Sequence, residues 1–189
     1  MAVKDFILAS GSPQRIALLR QIDYEPKKIY PADIDESCLP HEEALPYVRR
    51  MALAKARRVS QEFATENVLA CDTVVVVGKR ILHKAQNADE QRSFMKLMSG
   101  KNHRVISSVC LINKQGKISQ RTVSTKISMK HLTPAEIDEY VASGEWKGVC
   151  GYKIEGRLAG YVTKIVGSYS GVVGLPLSAT LNLLKGEGV

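Results

Sequence analysis

At 189 residues, with 44% apolar and 24% charged side chains, the chain is long enough for one ordinary domain, 1–189, and too mixed in composition for a disordered or fibrous protein. Lysine plus arginine outnumber aspartate plus glutamate 27 to 19, a formal net charge of +8 that favours anionic partners. Scattered basic residues with only three Phe and one Trp give no array of stacking rings along a basic groove, so a small anionic ligand fits better than a nucleic acid.

Along the chain, apolar runs of strand type alternate with helical periodicity, which predicts an α/β fold. "VKDFILAS" reads as a strand and "PQRIALLRQI" as the helix after it. Pro31 to Pro40, "PADIDESCLP", is an acidic loop, and a long helix is expected over His41 to Ala64. "NVLACDTVVVV" has the β-branched content of a buried strand, with a turn at Gly78-Lys79 and a return strand in "RILHK". Ala88 to Met98 reads as a helix, and "HRVISSVCLIN" and "ISQRTVSTKISM" form a long hairpin about "KQGK". "TPAEIDEYVASG" carries Thr133 as N-cap, Pro134 at the first helical position, Glu136 to complete a capping box and Gly144 as a stop. The chain closes with a strand, a glycine-serine loop and a helix from near Pro176.

Cys38, Cys71, Cys110 and Cys150 are far apart, with no C-x-x-C pair, so reduced thiols in a cytoplasmic protein are expected. "MAVKDFILAS" is too short an apolar run for a signal peptide, and no stretch is apolar enough to span a bilayer.

Four places invite chemistry. In "ILASGSPQR", Ser12 suits an N-cap and Pro13 the first helical position, so an anion fits the helix start, with Ser10 and Gly11 allowing close approach and Arg15 offering a forked donor. An ordinary capped turn explains the same residues. Asp72 interrupts an apolar strand, where an ionised carboxylate needs a metal, a lysine or several backbone donors. Asp33, Asp35 and Glu36 crowd one loop, suited to a hard metal or to solvation. Lys55 falls on the apolar face of the long helix, with Val48, Ala52, Val59 and Phe63, either aimed at a phosphate or snorkelling from a cleft edge.

Taken in order, "LASGSPQRIALL", "DIDES", "ALAKAR", "CDTVV", "LMSGKNHRV", "EYVASGEWKG", "GYKIEG" and "GSYSGVVGLPL" resemble the Maf family of nucleotide pyrophosphatases over nearly the whole chain. The resemblance implies a fold like that of inosine triphosphate pyrophosphatases, an elongated curved mixed sheet with flanking helices and a cleft between two lobes, commonly as a homodimer. It implies hydrolysis of a nucleoside triphosphate between its α and β phosphates, dependent on a divalent metal such as Mg2+, Mn2+ or Co2+. By motif position Asp72 is the catalytic carboxylate, Glu36 shares the metal with it, and Ser10, Arg15, Lys55 and Lys84 bind or polarise phosphates. Ser12, Gln14, Thr73 and Glu155 fall at positions that touch substrate.

Gln14 stands where the family's motif has arginine, and Glu155 where the dTTP/UTP-type subgroup has glutamine. Thr73 follows that subgroup, whereas Lys153 with Glu155 matches the K-x-E-G of the subgroup acting on 7-methyl-GTP. Gly148-Val149-Cys150 replaces a K-A-G segment, and Ala85 a proline. The competing reading is a non-catalytic, nucleotide-binding regulator of cell division. A nucleic-acid-binding module comes third.

Overall fold

The structure, a computed structural model, describes residues 3–189; Met1 and Ala2, which begin the N-terminal segment read above, lie outside them. Seven strands form one mixed sheet: β1 (Val3–Leu8), β2 (Glu25–Ile29), β3 (Val68–Val77), β4 (Arg80–Leu82), β5 (Asn102–Ile112), β6 (Ile118–Met129) and β7 (Val162–Val166). They run in the order β2-β1-β3-β5-β6-β7, with β4 pairing β3 off that path. β1 is parallel to β2 and β3, and every other pairing is antiparallel. Six helices accompany the sheet: α1 (Pro13–Gln21), α2 (Ala44–Glu62), α3 (Ala88–Met98), α4 (Pro134–Ser143), α5 (Tyr169–Val173) and α6 (Leu177–Gly186).

The β3 strand organises both faces through its period of two. Val68, Ala70, Val74 and Val76 pack toward α2, while Leu69 and Cys71 meet α6 and Val75 and Val77 meet the cluster that includes α3 and α4. Asp72 interrupts the first row and Thr73 the second, so on each face the apolar core divides into two clusters at the same point. The edge of β3 away from β5 is divided there as well. It is paired by β1 at Val68 and Leu69 and by β4 from Val75 to Val77. The intervening residues have no strand neighbour on that edge. A cleft opens in this gap, at the carboxyl end of β1, where parallel α/β units place their ligands.

Most predicted elements are present. Around the predicted acidic loop the long helix is three residues shorter at its start, because the chain turns at Leu39–Glu42 with His41 at φ 60° and becomes helical only after Glu43. The α4 capping box and its left-handed stop at Gly144, φ 70°, form as read. Three elements had no counterpart in the sequence reading, among them a short 3-10 turn over Arg157–Tyr161. β2, "EPKKI", is an edge strand whose lysines face solvent, so it lacks strand composition, and α5 is one short turn inside the glycine-serine loop.

Candidate functional site

The cleft has a volume of about 420 Å³ and is walled by five parts of the chain: residues 9–15, Glu36 with Lys55, the centre of β3, residues 148–155 with Lys84, and the α5 loop. Its floor is charged. Lys55 Nζ lies 2.6 Å from Asp72 Oδ1 and 3.0 Å from Glu36 Oε1, so one ammonium joins the two carboxylates across elements far apart in sequence. Lys55 and Asp72 are 7% and 5% exposed, whereas the Glu36 side chain is 46% exposed, which makes Glu36 the solvent-facing member. Burial of Asp72 in an apolar strand is tolerated because Lys55 supplies the counter-charge. Asp72 Oδ2 has no hydrogen-bond partner among the described residues.

The acidic loop delivers only one of its three carboxylates. Glu36 enters the cleft, its backbone carbonyl held by the Tyr47 hydroxyl at 2.8 Å, while Asp35 accepts from the Ser37 amide and hydroxyl and Asp33 does not line the cleft. Glu36 and Asp72 are therefore the protein oxygens offered to a cation. Among the described residues no cluster of three His, Cys, Asp or Glu is suited to a metal. One or two carboxylates are the number of side chains that a magnesium-like ion commonly takes from a protein, so this pair would suit such a cation.

At the β1–α1 turn, Ser12 caps the helix by accepting from the Arg15 amide and donates its hydroxyl to Gln14 Oε1. The Ser12 amide itself donates to Ser10 Oγ. With Pro13 lacking an N–H, the helix start is less open to an anion than the sequence suggests, and the side chains carry more of the load. Arg15 is held at two points, Nε donating to the Gly174 carbonyl at 2.9 Å and Nη1 to Ser10 Oγ at 3.0 Å. Three of its five donors stay available. Lys84 lines the same cleft and makes no ion pair among the described residues.

The α5 loop fastens this side. The Gly174 carbonyl accepts from Arg15, from the Cys71 thiol and from the Thr73 hydroxyl, and Ser107 on β5 donates to the Gly171 carbonyl at 2.6 Å while meeting Thr73 Oγ1 at 2.9 Å. Thr73 therefore lines the cleft with its hydroxyl already engaged. Ser107 was missed in the sequence, although a serine inside "RVISSVCLI" is the same kind of anomaly as Asp72. Gln14, Lys153 and Glu155 also line the cleft, and Glu155 is exposed. Cys150 lines it too, and burial pushes its thiol up to about 11, which keeps it protonated near neutrality.

The family model described as Maf-like protein matches residues 5–187. A dTTP/UTP pyrophosphatase of Mesorhizobium japonicum is 47% identical over 193 residues, covering 98% of this chain and 93% of that one. The dTTP/UTP pyrophosphatase of Caulobacter vibrioides is 48% identical over 183 residues, covering 96% and 95%. Among solved structures, a nucleoside-triphosphatase / dITP/XTP pyrophosphatase from Mycobacterium abscessus matches with a TM-score of 0.45 at 14% identity, over 70% of this chain and 76% of that one.

Proposed function

The chain belongs to the Maf family, and from that premise we propose that it hydrolyses a nucleoside triphosphate between the α and β phosphates, releasing a nucleoside monophosphate and pyrophosphate, to clear surplus or non-canonical nucleotides. The observation that carries this reading is the buried Lys55 bridging Asp72 and Glu36 in a cleft that also holds Arg15 and Lys84. Water attack on a phosphorus ringed by negative oxygens needs charge neutralisation and alignment above all.

In this reading Lys55 holds Asp72 Oδ1 and leaves Oδ2 to orient a water and take its proton as the new bond to the α phosphorus forms. The bond from that phosphorus to the bridging oxygen breaks, and pyrophosphate leaves with the electron pair. Arg15, Lys84 and the Ser10 hydroxyl bind the phosphate oxygens, Ser12 keeping the turn in shape. Glu36 and Asp72 are the residues that would hold a divalent cation, Mg2+, Mn2+ or Co2+, which when bound supplies further positive charge against the polyphosphate.

The base end sets the substrate. Glu155 only accepts hydrogen bonds and Lys153 only donates, so together they suit a base edge that pairs a ring N–H with a carbonyl, as in uracil, thymine and guanine. The substrates for which these relatives are named, dTTP and UTP, carry that edge, and Gln14 and Glu155, which depart from the family's motif, are the positions at which this chain's own ranking would be set. A single domain, a cytoplasmic location and a homodimer belong to the same proposal.

The test is pyrophosphate release from a panel of canonical and modified triphosphates with each cation. Asp72→Asn is expected to lower kcat by about 10²–10⁴-fold, and Glu155→Gln to reorder the panel. Tight nucleotide binding with no pyrophosphate from any member would replace the enzyme by the regulator of division.

A further inference from the structure

Residues 148–156 form the wall of the cleft that carries Cys150, Lys153 and Glu155, yet they contain no helix and make no strand beyond one isolated bridge, Cys150 to Lys84. Three buried side chains from three elements seize consecutive residues of that wall. Gln91 of α3 donates Nε2 to the Gly151 carbonyl at 2.7 Å. His103 of β5 meets the Tyr152 hydroxyl through Nε2 at 2.6 Å. Tyr140 of α4 accepts on its hydroxyl from the Lys153 amide at 3.2 Å. All three are at most 2% exposed. Gly151, at φ +68°, completes the seating, since a Cβ there would come 3.0 Å from Val75 Cγ2.

The grip is bought at a local cost. The two buried side-chain polar atoms without a partner among the described residues are Gln91 Oε1 and His103 Nδ1, both in these gripping side chains. An unsatisfied buried polar atom is destabilising, and apolar residues of similar volume would fill the same core without it. Stability alone therefore gives no reason for an amide and an imidazole at these positions. Fixing the wall does, because each uses its other polar atom to set one residue of the segment that ends in Lys153 and Glu155.

Resting on the nucleotide reading above, we infer that Gln91, His103 and Tyr140 are positioning residues for base selection: they hold residues 151–153, at the Gly151 carbonyl, the Tyr152 hydroxyl and the Lys153 amide, so that Lys153 and Glu155 meet the base edge. None of the three touches the phosphate end, which is fastened separately through Arg15, Thr73 and Gly174.

Calorimetric titration of the full chain with α,β-methylene analogues of dTTP, UTP, GTP and CTP, and with inorganic tripolyphosphate, separates the two ends without needing turnover. In His103→Leu and Gln91→Leu the spread of Kd among the four bases is expected to narrow about tenfold, with the Kd for tripolyphosphate unchanged. His103→Gln, which can place a polar atom where Nε2 lies, is expected to restore the spread. Folded variants that keep the wild-type spread overturn the inference, as does a tripolyphosphate Kd that rises in step with the nucleotides or a wild type that binds all four bases alike. If the leucine variants do not fold, Tyr140→Phe decides, since it removes only the hydroxyl. Failure of the hydrolysis reading would show instead as absent pyrophosphate release, with the Kd ratios still measurable.

Discussion

A lysine shared by two carboxylates is not energetically equivalent to either acid it serves. Removing Asp72 leaves Lys55 with Glu36 at 3.0 Å, a pair that still balances its charge. Removing Lys55 leaves two carboxylates converging on one space with no cation between them, one of them buried. Stripping one partner from a buried pair typically costs about 3–5 kcal/mol. Lys55→Met is therefore expected to lower the free energy of unfolding by roughly that amount and Asp72→Asn by distinctly less, as read from urea denaturation of the ligand-free protein. Equal losses, or the reverse order, would contradict the shared-cation arrangement. Both variants should lose activity, so only stability tells them apart. The two residues were separately visible in the sequence, Asp72 as a charge in an apolar run and Lys55 as a polar break in a helical stripe. Their pairing was not visible, because a contact between α2 and β3 depends on how the helix docks on the sheet.

Between single residues and the whole lies the α5 loop, which holds the phosphate end as the 151–153 grip holds the base end. Its entry is Gly167, at φ +134°, where a Cβ would sit 2.7 Å from Thr125 Oγ1 and 2.9 Å from the Thr125 Cα. That close approach lets the Ser168 amide donate to Thr125 Oγ1 and sets the path that brings the Gly174 carbonyl to Arg15. Gly167→Ala should cost at least ~1–3 kcal/mol and also free Arg15, so tripolyphosphate affinity is expected to fall while the ranking of bases stays. Gly78→Ala is the control. Its φ is also positive, at +61°, but nothing lies within 4 Å of the added Cβ, so stability alone should change. Thermal unfolding with tripolyphosphate titration distinguishes the two. At this scale the helices of nine residues or more and the long hairpin were legible because period and caps agree locally, as in α4. β2 was not, since its strand state comes from pairing with β1 at the sheet edge rather than from its own "EPKKI".

For the molecule as a whole, the buried grip makes stability depend on pH in a way that the surface cannot. His103 is the one buried histidine among the described residues; His41, His83 and His131 are exposed. Burial with no compensating anion pushes its pKa down to about 4 from an ordinary 6.5, so the folded protein holds it neutral while the unfolded chain protonates it below 6.5. Between those values the unfolded state binds more protons, and stability must fall as pH falls through that window. The full loss is on the order of 3 kcal/mol, complete near pH 4. Asp5 and Glu42, each drawn down to about 2 by hydrogen bonds from Lys114 with Lys27 and from Arg50 respectively, lose their stabilising charge only at lower pH. Acid destabilisation should therefore come in two stages. Urea midpoints between pH 7 and 4 are expected to fall in the wild type and to lie flatter in His103→Gln, with both proteins declining together below pH 4. Parallel curves across the upper window would mean that His103 is not held neutral in the fold. A flattened curve together with an intact base ranking in His103→Gln would place the imidazole's acid sensitivity apart from its grip on Tyr152, because glutamine keeps a hydrogen-bonding atom and has no proton to gain in that range.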